Sequence, residues 1–229
     1  MAEDQTKQDE TPQPRPVHSE ELAQIREIWE AYGRSVVTGV LLALVLILAL
    51  TVYRQFGQSK RDQAAAALGN AETIEDFESV LVRFPRSASA PIAMLALGRA
   101  QFEASSFEDA LATYARFKQE HPQHPMRQAA ELAHAQTLEA AGRLEEAKDA
   151  FRELAQALSA DHYLQPAAQL GIGRSLEQLG RWQEARAAYE DFIAEHADTD
   201  WADQAELALR FVQRAIAAQQ QAEAETASP

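Results

Sequence analysis

The side chains best suited to chemistry are three histidines and two acidic pairs. HPQHP brings His121 and His124 together, and His134 follows one helix later. Three imidazoles can hold a divalent metal, but no carboxylate stands at a fixed spacing to complete the set. His134 also occupies a place where two similar stretches carry Leu97 and Ile172, which reads it as a hydrogen-bonded core residue. The pairs Glu108–Asp109 and Glu145–Glu146 could divide into a general acid and a general base. Both pairs fall at the starts of predicted helices, where carboxylates complement the helix dipole and are solvated. The chain has no cysteine, so it offers no thiol nucleophile, thiolate metal site or disulfide. It has no G-x-S-x-G elbow, no phosphate loop and no H-E-x-x-H helix. The expectation is no enzyme, no metal and no cofactor.

The elements that must position these residues are helices. Ala, Glu, Gln, Leu and Arg dominate, and nine glycines are few for 229 residues; such a mixture favours helix almost throughout. No alternating run of β-branched and aromatic residues is long enough for a strand, so the expected class is all-α. Lys and Arg total 21 against 35 for Asp and Glu, a net charge of −14. A chain so acidic repels polyphosphate and is not expected to bind nucleic acid.

SVVTGVLLALVLILALTVY, residues 35–53, carries no charge. At 1.5 Å per residue it spans about 28 Å as a helix, close to the ~30 Å hydrocarbon core. The run predicts a single transmembrane helix. It starts too late and runs too long for a cleavable leader, and RQFGQSK follows it instead of a small-x-small site. Arg15, Arg26 and Arg34 on one side balance Arg54, Lys60 and Arg61 on the other, so charge does not orient it. Ser35, Gly39 and Ala43 form a small-residue stripe that could let another helix approach; ordinary Gly and Ala scatter is the alternative. Residues 1–18 are polar, interrupted by proline, and expected to be disordered. Residues 19–34 place Leu22, Ile25, Ile28, Trp29 and Tyr32 on one side, as a juxtamembrane amphipathic helix or as one continuous with the span.

Beyond the span a phrase recurs as SSFEDALATY, GRLEEAKDAF and GRWQEARAAY. Its central alanines Ala110, Ala147 and Ala185 are 37 and 38 residues apart. Phe107, Leu144 and Trp182 stand three before them, Tyr114, Phe151 and Tyr189 four after, and Phe117, Leu154 and Phe192 seven after. That spacing is one helix face. Twelve residues ahead of each alanine a small residue, Gly98, Ala135 or Gly173, marks a close crossing in a preceding helix. Gly142 and Gly180 end that helix where a left-handed residue is wanted. Ser105 takes the place in the first copy and needs another solution. One pair cannot cover its own apolar face, so the pairs must stack. A weaker copy places Phe77, Val80 and Pro85 in register, with its partner helix near residues 58–70. The segment from Asp198 starts a first helix with no second, as a cap. The repeat domain is expected over 58–220 and a disordered tail over 221–229.

These landmarks resemble the tetratricopeptide repeat, which implies a right-handed α-solenoid capped by its C-terminal helix. A stub reading ELAQIREIWEAYGRSVVTGVLLALV, one span and such repeats together resemble the YfgM-like ancillary subunit family of the bacterial SecYEG translocon. That resemblance implies an inner-membrane protein with a cytoplasmic N-terminus and a periplasmic repeat domain. The implied partners are proteins: translocon subunits, periplasmic chaperones or secreted clients. Nothing in the sequence speaks for a homo-oligomer. By register the groove presents Leu95, Arg99 and Phe102, then Leu132, Gln136 and Glu139, then Leu170, Arg174 and Glu177. Some of these could instead pack under the capping helix. With Glu139 and Glu177 beside only two arginines, a basic clamp for acidic tails is disfavoured, and Phe102 is the expected anchor. A second expectation is a structural subunit docking through the span, with the repeats as spacer.

Overall fold

The computed structural model describes residues 19–197 and 199–226; for residues 19–37, 53, 56 and 57 only the backbone is described. The chain divides into two compact units, residues 1–58 and 59–229. The described residues form α1 (Ser19–Gly69), α2 (Ile74–Arg83), α3 (Ala90–Glu103), α4 (Phe107–Glu120), α5 (Arg127–Ala140), α6 (Leu144–Ala157), α7 (Gln165–Gln178), α8 (Trp182–His196) and α9 (Asp200–Thr226).

In the first unit the backbone is helical without a break from Ser19, so residues 19–34 and 35–53 belong to one element rather than two. The expected tail 1–18 lies outside the described residues, as do the side chains of Ser35 and Tyr53. Between Thr38 and Val52 the large apolar side chains are exposed, Leu42, Val45 and Leu48 among them. Gly39 and Ala43 are exposed too, and a Cβ built on Gly39 meets nothing within 4 Å. Among the described residues no helix is long and apolar enough to cross a membrane, the side chains of residues 35–37 and 53 of the expected span lying outside them.

The second unit is a stack of antiparallel helical pairs. From α2 to α9 each helix packs on its neighbours in the chain, and α3, α5, α7 and α9 also touch one another in series across the even helices. That second set of contacts puts the odd helices on the inner side of a tetratricopeptide-like solenoid. Three apolar clusters replace a single core. One is built around Met94, Tyr114 and Phe117, one around Leu138 and Phe151, and one around Tyr189, Phe192 and Val212. At the end of α1 Ala64 is fully buried, and Ala67 and Leu68 pack against the first cluster, which also holds Val80 and Leu81 of α2. Thr73 and Asp76 cap α2 reciprocally: the Thr73 hydroxyl accepts from the Asp76 N–H (3.2 Å) and Asp76 Oδ2 from the Thr73 N–H (3.1 Å).

The repeated phrase is a packing device. Ala110, Ala147 and Ala185 are wholly buried. A Cβ added to Gly98 would lie 2.7 Å from the Tyr114 ring, and one added to Gly173 would lie 2.5 Å from the Tyr189 ring, so only hydrogen fits at these crossings. The middle pair solves the crossing differently. Ala135 keeps its Cβ and the Phe151 ring goes against Gly171 of the next pair, where an added Cβ would be 2.6 Å away.

Gly142 (φ 75°) and Gly180 (φ 71°) are left-handed, as expected, and Ser105 (φ 60°) adopts the same conformation despite its side chain. All three close the same double bond: the next N–H reaches back to Gln101, Leu138 or Leu176, and the residue itself to Phe102, Glu139 or Glu177. The final helix α9 continues through Thr226, beyond the expected end at 220, because its Ala, Gln and Glu run contains no breaker. Residues 227–229 lie outside the described residues.

Candidate functional site

One carboxylate of each acidic pair, Glu108 and Glu145, is reached across the exposed surface by an arginine of the following unit. The Arg143 guanidinium donates to Glu146 of its own turn (2.6 and 2.8 Å) and reaches Glu108 of the preceding pair (3.4 Å). Arg181 repeats this one unit on, binding Glu184 and reaching Glu145 at 3.2 Å. Lys148 also pairs with Glu145. Hydrogen bonds from Lys148 and Arg143 hold Glu145 and Glu146 below the usual carboxylate range, so both are anions and neither is a proton donor at neutral pH. This ladder went unseen in the sequence, although the arginine directly after each repeat glycine is its signal.

The histidines do not converge. The His121 and His124 rings lie 6.3 Å apart, both against Phe117, and His124 Nδ1 accepts from the Met126 N–H. His134 stands apart from them, half-buried beside Lys118 and Leu154, without the expected hydrogen bond among the described residues. Burial pushes its imidazole down to about 4, with Lys118 and Arg143 adding to the effect. Among the described residues no group of three metal-ligating side chains is assembled.

The groove residues separate into three sets. Leu132 and Leu170 are buried in the second and third clusters and have almost no surface to offer. Their helices lie between two others, so the strip left open is narrower than the register of one pair implies. Glu139, Arg174 and Glu177 are engaged internally. Arg174 grips Glu139 with both arms (Nε–Oε1 3.0 Å, Nη2–Oε2 2.9 Å), Gln178 adds a third bond at 2.8 Å, and the guanidinium lies 5.9 Å from the Phe151 ring centre. Glu177 accepts from the Tyr189 hydroxyl at 3.0 Å, and burial first, then this carboxylate, pushes the phenol far up.

The remaining four, Leu95, Arg99, Phe102 and Gln136, line one cleft of about 530 Å³ between α3 and α5. Leu95, Phe102, Met126 and Ala133 make its apolar wall, and the Tyr114 ring forms part of its lining. Phe102 also leans on Phe107, with ring centres 5.6 Å apart. At the rim Arg99 bonds Glu103 at 2.8 Å. A smaller cleft of about 220 Å³ lies where α9 covers α7, lined by Leu170, Arg174, Tyr189 and Ala208. Met126, exposed enough to serve as a lip, was missed because it precedes the first turn of its helix.

Comparison with known proteins agrees with this architecture. The crystallised nearly identical TPR-like repeats from Podosopora anserina share 21% identity, covering 72% of this chain and 89% of that one at a TM-score of 0.53. A point variant of those repeats aligns at 0.55. A tetratricopeptide repeat protein from Parabacteroides merdae shares 15% identity over 70% of this chain and 60% of that one, with a TM-score of 0.50. At such identities the likeness is one of fold. No curated protein matches the sequence. The tetratricopeptide repeat-like domain family matches residues 26–200. Domains of this kind bind proteins and are typically non-catalytic. With paired helices, glycine crossings and that match in hand, the chain belongs to the tetratricopeptide repeat-like domain family.

Proposed function

We propose that this chain is a single-pass inner-membrane scaffold. Residues 35–53 span the bilayer, the N-terminus lies in the cytoplasm, and the repeats bind proteins outside the membrane during secretion at the translocon or envelope assembly. The observation that carries the binding role is the inner face of the stack, where an apolar cleft stays open between α3 and α5 while the other groove positions are engaged. The membrane role is supported by the exposed apolar side chains from Val40 to Val52, a surface that water does not tolerate at this extent. The Thr51 hydroxyl donates to the Ile47 carbonyl (2.7 Å), which satisfies the donor without water. Orientation and the link to secretion rest on the resemblance of the stub, span and repeats to the translocon subunit family.

A second reading makes the span the docking element and the repeats a spacer. It draws on Gly39 and Ala43, both exposed on α1 with no neighbour against Gly39. Photo-crosslinkers placed separately at Phe102 and Gly39 in growing cells decide between the two. Capture of proteins at Phe102 supports the scaffold; capture at Gly39 alone supports the spacer. Protease added to intact spheroplasts tests orientation. The repeats should be cut, and their survival while a known periplasmic domain is cut would refute the topology.

A further inference from the structure

The two clefts on the inner face are the same place in the repeat. Leu170, Arg174, Tyr189 and Ala208 line one, and subtracting 75 from each number gives Leu95, Arg99, Tyr114 and Ala133, which line the other. A third equivalent lies between them, at Gln136 and Phe151. Each has been treated differently by the sequence.

In the middle position the Phe151 ring moves onto Gly171, and Arg174 closes over it by gripping Glu139. In the last position Glu177 takes the hydroxyl of Tyr189 and only the smaller space remains. In the first position neither device exists. Phe102 stands where the other two pairs have Glu139 and Glu177. Arg99 stands two units before Arg174, and the residue two units before Glu139 is Ala64, so Arg99 has no acid to grip across its own join and bonds Glu103 on its own helix instead. Tyr114 is 4% exposed, yet its hydroxyl has no hydrogen-bond partner among the described residues and it lines the cleft. That hydroxyl opens onto the cleft, where water or a bound group can accept from it.

We propose that this cleft receives one large apolar side chain from an extended, net-cationic segment of another polypeptide, with the Tyr114 hydroxyl donating to a neutral acceptor beside it, such as a backbone carbonyl. The apolar wall of Leu95, Phe102, Met126 and Ala133 takes the side chain. The acceptor is neutral because Arg99 and Glu103 share the rim, which therefore carries no net positive charge for a carboxylate. The segment is cationic because a chain of net charge −14 attracts positive partners and repels acidic ones. This proposal rests on the protein-binding reading and narrows it to one of three equivalent sites.

The test uses the full chain in mild detergent and fluorescent peptides about ten residues long, read by polarisation. One peptide carries a central Trp with Lys flanks, one has Ala at the centre, and one has Glu flanks. The Trp–Lys peptide should bind; the Ala peptide should bind about ten-fold or more weakly, and the Glu peptide more weakly again. Tyr114→Phe should weaken the Trp–Lys peptide about five-fold, the worth of one hydrogen bond, without lowering the melting temperature. Ala133→Trp fills the cleft and should abolish binding. If that variant does not fold, Gln136→Trp at the exposed rim gives the same reading. Unchanged affinity in Tyr114→Phe, or full binding by the cleft-filled variant or the Glu peptide, overturns the proposal. If no peptide binds but Phe102 still crosslinks proteins in cells, the cleft chemistry is wrong and the scaffold stands. If Phe102 captures nothing as well, the protein-binding reading falls with it.

Discussion

Ser105 offers a clean test of the repeat logic, because it stands in a conformation that its two counterparts reserve for glycine. Its φ of 60° matches Gly142 at 75° and Gly180 at 71°, and its backbone makes the same pair of closing hydrogen bonds. A residue with a Cβ pays about 1–2 kcal/mol for the left-handed region, and glycine gives back roughly 0.5–1 kcal/mol through its greater freedom when unfolded. The Ser105 side chain is exposed and no hydrogen bond of its hydroxyl is present among the described residues, so its removal loses nothing else. Ser105→Gly should therefore stabilise the domain by about 0.5–1 kcal/mol. For a chain of this size that is a rise of roughly 1–4 °C in melting temperature. The reverse change, Gly142→Ser, should lower it by a similar amount, since a Cβ there meets nothing within 4 Å and only the backbone objects. Thermal melts of the full chain in mild detergent, followed by far-ultraviolet circular dichroism, measure both. A destabilised Ser105→Gly, or a neutral Gly142→Ser, would refute the claim that backbone conformation governs this position.

Other perturbations follow from the same geometry. Gly173→Ala puts a Cβ 2.5 Å from the Tyr189 ring and should cost roughly 1–3 kcal/mol in a thermal melt; Gly171→Ala should cost as much against Phe151. Arg174→Met strands Glu139, whose side chain is 11% exposed, and should cost roughly 1–2 kcal/mol, a pair partly open to water being worth less than a fully buried one. Adding Glu139→Leu to it should recover much of that loss in a double-mutant cycle. His134, held down to about 4 from 6.5, is neutral when folded and takes up a proton on unfolding. Its contribution is intact above pH 6.5 and is lost as pH falls from there toward 4, by roughly 1–2 kcal/mol for a half-buried ring. His134→Leu, matching Leu97, should flatten the stability profile across that window.

Much of the stack was legible because its landmarks are steric. The central alanines, the aromatics four residues on and the stop glycines each answer to one close contact or one backbone angle, and residue type reports these directly. What escaped depends on two units at once. Gly171 is needed only because Ala135 diverts Phe151 across the join. The Arg143–Glu108 and Arg181–Glu145 links tie residues 35 and 36 positions apart, which no single helix face displays. Leu132 and Leu170 were assigned to the groove from the register of their own pair, and the neighbouring pair buries them. His134 was expected to find a hydrogen bond; the structure leaves it half-buried and without one among the described residues. The cleft residues Leu95, Arg99, Phe102 and Gln136 were legible from the register, but not that the two later sites are closed, because Arg174–Glu139 again joins two units.

The central claim is that the odd-helix face of this solenoid binds protein. A photo-crosslinker at Gln136, exposed in the open cleft, against one at Arg152, exposed on α6 of the even-helix series, tests it most directly in growing cells. The account predicts discrete captured proteins from Gln136 and none from Arg152. Equal capture from both positions, or capture from Arg152 alone, would contradict it.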